Sequence, residues 1–143
     1  NTCKTIYFNI YLWKLKDEVM IKVEELRVGN ALNYVTSEGN TVISIMDWKD
    51  IKWISEDPKG FNLVHSPIFI TNEILIEVGF EDISSSIERI FKRGNFNWFS
   101  SSNEIISEFD NGLNGYDFYS GCKHFHKLQN LFFEIKGEEL KIK

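Results

Sequence analysis

The residues best suited to chemistry lie just ahead of the C-terminal helix, where Cys122, His124 and His126 read C-x-H-x-H. On an extended strand alternate residues share a face. There a thiolate and two imidazoles would offer three of the four ligands that a zinc or copper ion takes. On a helix the same three spread over about 200° and cannot converge. The segment stands at a strand-to-helix junction, so both readings are open; the plainer one is a buried thiol beside two surface imidazoles. Covalent catalysis would need Cys122 or a serine next to a general base. His65 is distant in sequence, and no pattern orders it as that base. There is no G-x-S-x-G, and the single glycine of Leu26-Arg27-Val28-Gly29-Asn30 cannot cradle phosphates. Glu24 with Glu25, and Glu138 with Glu139, are adjacent carboxylates that regular structure points apart, so they read as surface charge. The expectation is a protein without catalytic residues or a cofactor, with Cys122, His124 and His126 as a weak metal candidate.

The element that must position this segment is the clearest helix in the chain. Phe125, Leu128, Phe132 and Ile135 recur at helical spacing, with Leu131 widening the stripe. Gly137 follows as a stop and Lys136 sits in the negative last turn, which predicts a helix from about Lys123 to Lys136. At about 100° per residue, His126, Asn130 and Phe133 share the opposite face, with Gln129 at its edge. A phenylalanine there stands in water unless a second layer covers it. An aromatic ringed by amide and imidazole groups has the make-up of a binding hot spot, so His126, Gln129, Asn130 and Phe133 are the candidate interaction face.

The chain has 143 residues, enough for one domain without disulfide staples. Twelve Phe, five Tyr and four Trp suit a sheet-based core. A formal charge of −5 opposes non-specific phosphate binding. The nucleic-acid alternative therefore needs a local patch, for which Arg89, Lys92 and Arg93 are the cluster and Trp48, Trp53 and Trp98 a stacking platform. The same aromatics would suit a peptide groove. Trp53 and Ile54 are adjacent, so on a strand one of them faces outward. Cys3 and Cys122 are too far apart in sequence to suggest a disulfide framework, which points to free thiols in a cytoplasmic protein. Residues 4–13 include an apolar run far short of a membrane helix and without the marks of a secretory signal. Residues 1–19 read as a translated leader or an added edge strand, with Met20 opening the domain proper.

From Leu26 onward the pattern is β. A first strand is interrupted near Gly29-Asn30. Glu38-Gly39-Asn40 makes a hairpin turn, and Thr41 to Met46 alternates as a second strand. A turn at 47–50, a strand at 51–54, a turn at Asp57-Pro58-Lys59-Gly60 and strands at 61–64 and 68–70 complete a small antiparallel sheet or SH3-like barrel. Thr71 caps a short helix, Asn72 to Val78, stopped by Gly79. Residues 80–94 fit a helix or a loop leading to a strand. Three runs, 96–100, 105–109 and 116–119, read as a meander. Leu140 and Ile142 are placed to pack back on the sheet. The fold class is α+β: one domain over 20–143, with a β-rich half to residue 70 and a helix-meander-helix half from 71.

Glu25-Leu26-Arg27-Val28-Gly29-Asn30, then Ser66-Pro67-Ile68 with Thr71 and Gly79-Phe80-Glu81, and finally His126-Lys127-Leu128-Gln129-Asn130-Leu131-Phe132-Phe133 with Gly137-Glu138-Glu139-Leu140, resemble a family of short uncharacterised proteins of Bacteroides-type gut bacteria, their prophages and mobile elements. The resemblance spans roughly residues 20–143, loosely over 81–110, and is most specific at the H-x-L-Q-N-L-x-F…G-E-E-L ending. The family supplies no activity, so no functional residue is carried over. It implies an accessory, phage-linked cytoplasmic protein, which together with the residues above gives a non-enzymatic module binding a protein partner. Neither the partner's identity nor the oligomeric state follows from the sequence.

Overall fold

A computed structural model describes residues 20–99, 104–109, 115–119 and 122–143. The leader or edge strand expected at 1–19 lies outside the described residues. The fold is α+β, and the chain divides into two units, one ending at Pro67 and the other beginning at Ile68.

In the first unit a 3-10 turn, Val23–Glu25, leads to strand β1, Ala31–Val35. Gly29 has φ 94° and donates its N–H to the Met46 carbonyl at 2.8 Å, while the Met46 N–H donates to Asn30 at 2.8 Å. Two residues thus face one across the pair, a bulge whose positive φ favours glycine. β1 turns through Gly39 (φ 84°) into β2, Thr41–Ile45, with Leu32 opposite Ser44 and Asn33 opposite Ile43. The hairpin is the one expected. The next segments are not. The expected turn at 47–50 and strand at 51–54 are helix α1, Trp48–Glu56. The Asp47 carboxylate accepts the N–H groups of Lys49 and Asp50, and the Asp50 carboxylate accepts the Asp47 N–H, which closes a capping box. Asp57-Pro58-Lys59-Gly60 likewise opens helix α2, Pro58–Val64, instead of a turn before a strand. Asp57 caps the Gly60 N–H at 3.0 Å and Pro58 occupies the first turn, where its missing N–H costs nothing. β3 is only His65–Ser66, and residues 68–70 hold an isolated bridge, Phe69 to His124, not a strand. The sheet has the order β2-β1-β3, all antiparallel. Among the described residues it does not close, so the SH3-like barrel is replaced by a three-stranded sheet with two helices. Its core is Ile21, Leu32, Met46, Ile54 and Phe61, with Leu26 against them. The Asn62 amide pairs both ways with the Ile21 backbone, at 2.8 and 3.0 Å, and ties the entering chain to α2.

The second unit opens with α3, Asn72–Glu77. As expected, the Thr71 hydroxyl accepts the Ile74 N–H, and Gly79 (φ 94°) follows the helix end. A five-stranded antiparallel sheet follows in chain order: β4 Glu81–Asp82, β5 Ile90–Arg93, β6 Phe96–Phe99, β7 Glu104–Phe109 and β8 Gly115–Tyr119. Residues 80–94 are thus the loop-to-strand alternative. Serine side chains fix the loop: the Ser84 hydroxyl accepts the Ile90 N–H at 3.0 Å, and the Ser85 hydroxyl accepts from Ile87 and Glu88 at 3.2 Å. Hydroxyls that bond nearby backbone compete with helix, which explains why Ser84-Ser85-Ser86 does not start one. The closing helix α4 spans Phe125–Lys136, and Gly137 (φ 69°) donates to the Phe133 carbonyl at 2.8 Å. Leu75, Phe80, Phe91, Phe96, Phe125, Leu128, Phe132 and Leu140 are buried in this unit. No described helix is long and apolar enough to cross a membrane.

Candidate protein-interaction surface

The α4 face does not stand open. His126 is 0% and Gln129 1% exposed, Asn130 is half-buried, and only Phe133, at 39%, reaches solvent. For Gln129 the cause is the tail after Gly137. It runs back so that the Leu140 carbonyl accepts the Gln129 Nε2–H at 2.8 Å and the Leu140 side chain is buried. The periodicity finds the buried stripe correctly. It does not show that the chain folds back over the opposite side.

Cys122, His124 and His126 are not assembled as ligands. Among the described residues no three His, Cys, Asp or Glu side chains converge on a metal-binding point. His124 is the extended cap residue of α4, its ring stacked on His126 at 5.8 Å and met edge-on by Phe69 at 5.2 Å. Cys122 is buried, and burial pushes its thiol from 9.0 up to about 12. The thiolate is the reactive form. Each step up in pKa cuts its fraction tenfold at a fixed pH below both values. Alkylation of Cys122 in the folded protein is therefore expected to run roughly a thousandfold slower than in the urea-unfolded chain. Peptide mass spectrometry after timed iodoacetamide exposure reads this out, and comparable rates would place Cys122 in water.

The basic cluster is divided. Arg93 donates to the Val78 carbonyl at 2.6 Å and to Glu138 at 3.3 Å, and its guanidinium lies 5.0 Å over the Phe132 ring. Arg89 pairs with Asp82 at 3.8 Å, and Lys92 stands opposite Glu81 in the β4–β5 register. The tryptophan platform divides too: Trp98 is buried, while Trp48 and Trp53 are exposed on α1. Trp53 does point outward relative to Ile54, for a helical reason and not a strand one. His65 stacks on Phe61 at 3.9 Å, with Tyr34 and Trp53 at 5.2 and 5.5 Å, and its Nδ1–H donates to the Phe61 carbonyl at 3.0 Å. Burial holds its pKa below the ordinary imidazole value, against the raising effect of that hydrogen bond. The Asp50 carboxylate also acts on the ring, raising its pKa, and stacking against Phe61 with Tyr34 and Trp53 around it makes the ring part of the packing of this unit.

The surface that the sequence reading missed is the outer edge of β2. Leu32 and Met46 face the core, so Ala31, Asn33 and Val35 on β1 and Thr41, Ile43 and Ile45 on β2 share the other side. Ile43 is 49% and Ile45 52% exposed, and Val35 and Val42 are exposed as well. In an antiparallel pair, hydrogen-bonded and non-bonded positions alternate. The bonds of Met46 to Asn30 and of Thr36 to Asn40 mark the even-numbered β2 positions as those bonded to β1. Thr41, Ile43 and Ile45 therefore aim their N–H and C=O groups away from β1, and among the described residues no strand lies there. Natural sheets blunt such edges with Lys, Pro or a bulge in the edge strand. Thr41 to Met46 carries no charge and no proline, and the bulge lies on the β1 side. The legible signal is a run apolar on both faces, Val42 and Met46 on one, Ile43 and Ile45 on the other.

Against protein-family models, curated proteins and solved structures, the chain matches none.

Proposed function

We propose that this chain is a non-enzymatic protein-interaction module, and that the β2 edge with the Val35, Ile43 and Ile45 stripe is its binding surface. The observation that carries the reading is a five-residue edge strand whose outward backbone donors and acceptors meet no strand among the described residues, beside large, half-exposed aliphatic side chains. An added strand would satisfy the backbone groups and cover the side chains, so main-chain bonds supply affinity and alternate pockets supply specificity. The net charge of −5 and the commitment of Arg89 and Arg93 to carboxylate and carbonyl groups weigh against the nucleic-acid alternative. Origin in a phage or mobile element is supported by the family resemblance of the 126–140 ending. The test is affinity capture from native-host lysate, with and without nuclease, using the intact chain and Ile43→Lys. Protein recovered in both nuclease conditions and lost with Ile43→Lys is the expected result. Recovery only while nucleic acid is intact moves the assignment to nucleic-acid binding.

A further inference from the structure

We infer that the second unit carries a peptide-binding groove, filled in cis by its own residues 138–143, and that a partner protein displaces them with an extended segment bearing a carboxylate two residues before a leucine. The groove is separate from the β2 edge and does not rest on the reading given there. Residues 138–143 form no helix or strand. They are held as a bound peptide is held, by one buried anchor and a few placed polar groups. The anchor is Leu140, fully buried between the half-buried Glu139 and the exposed Lys141. Three groups from regular elements read the segment around it. Arg93 of β5 donates to the Glu138 carboxylate at 3.3 Å, and the Gln129 Nε2–H of α4 donates to the Leu140 carbonyl at 2.8 Å. The Glu77 carboxylate of α3 accepts the Lys143 N–H at 2.9 Å. The last two bonds go to backbone, which any extended segment offers. The carboxylate at 138 and the aliphatic side chain at 140 therefore set the specificity.

The reading groups keep their places without the segment. The Arg93 guanidinium lies 5.0 Å over the Phe132 ring and donates to the Val78 carbonyl at 2.6 Å, while Gln129 and Glu77 stand on helices. A site shaped before its ligand arrives loses little ordering entropy on binding. Glu138 is exposed and Arg93 partly so, which lets an incoming carboxylate reach the guanidinium before the resident one leaves. The segment departs from α4 at Gly137, where φ is 69° and an added Cβ would meet nothing within 4 Å, so no packing pins the pivot.

Fluorescence anisotropy tests the groove, with a labelled peptide of the 137–143 sequence as probe and the full chain as receptor. Leu140→Asp in the chain removes the resident anchor. That variant is expected to bind the peptide saturably, about tenfold or more tighter than the unsubstituted chain does, because the resident segment no longer competes. A peptide carrying Leu140→Asp should not bind, and Gln129→Leu in the variant chain should weaken binding by up to about tenfold, the loss of one hydrogen bond. Equal affinity of the two chains, or no binding by a variant whose circular dichroism is unchanged, overturns the proposal. If Leu140→Asp fails to fold, the milder Leu140→Cys in a Cys3→Ser background decides, with the buried Cys122 reporting wider opening of the unit. Timed iodoacetamide labelling at position 140 should then rise with added unlabelled peptide while labelling of Cys122 stays constant. A rate at 140 that the peptide leaves unchanged, or a rise that Cys122 shares, overturns the proposal and makes the segment a fixed part of the fold.

Discussion

Phe132→Ala is expected to lower the unfolding free energy by about 3–5 kcal/mol, the range for deleting a fully buried aromatic ring. Phe132 is buried, its ring 5.2 Å from Phe96 and 6.3 Å from Phe80, and it carries the Arg93 guanidinium on its face. Removing the ring leaves a cavity between α4 and the sheet and strips the aromatic support from Arg93. That arginine then holds only the Val78 carbonyl and Glu138. A denaturant melt with ellipticity as the probe measures the cost. A loss under about 1 kcal/mol would mean that the ring is not the keystone of this packing.

Phe61→Ala carries a comparable cost, about 3–5 kcal/mol, and adds a pH signature. Phe61 is fully buried in the first unit, edge-on to Trp53 at 5.4 Å and stacked beneath His65. Burial lowers the His65 pKa from its ordinary 6.5. Well above 6.5 the ring is neutral in the folded and unfolded chains alike, and its full contribution to stability is present. As pH falls through 6.5 the unfolded chain takes up a proton that the folded chain resists, so stability declines with falling pH. Removing Phe61 lets water reach the imidazole and returns its pKa toward 6.5. The variant should therefore be less stable at neutral pH, yet lose less on acidification than the parent. Melts on either side of 6.5 test this, and parallel pH curves for the two chains would show that Phe61 does not shield His65.

Much of the second unit is legible in the residues. Phe125, Leu128 and Phe132 declare α4, Thr71 and Gly79 bound α3, and the turn-rich linkers separate the meander, because each signal is local and competes with nothing. The first unit reads less well at two acidic residues. Asp47 and Asp57 are at home in turns and at helix starts alike. What separates the cases is the residue that completes the cap, Asp50 for the first and Pro58 for the second. Short apolar runs such as 51–54 and 61–64 fit strand or helix until that cap is recognised. The exposed edge of β2 is illegible for a different reason. Exposure depends on what covers a face, and sequence periodicity reports only that a face exists. Gln129 reads as surface because the return of Leu140 is a tertiary event. Ile43 and Ile45 read simply as strand, because nothing local says whether a neighbour arrives.

The two edges of the first unit's sheet are unequal, β2 with five residues and β3 with His65 and Ser66 alone. An extended chain can add along β2, but two residues offer too short a ladder to template another. A sheet sticky on both sides polymerises; one sticky on a single side saturates after one addition. The brevity of β3 thus acts as a terminator. Among the described residues, strand addition to this sheet therefore has one five-residue edge to use and no comparable second one.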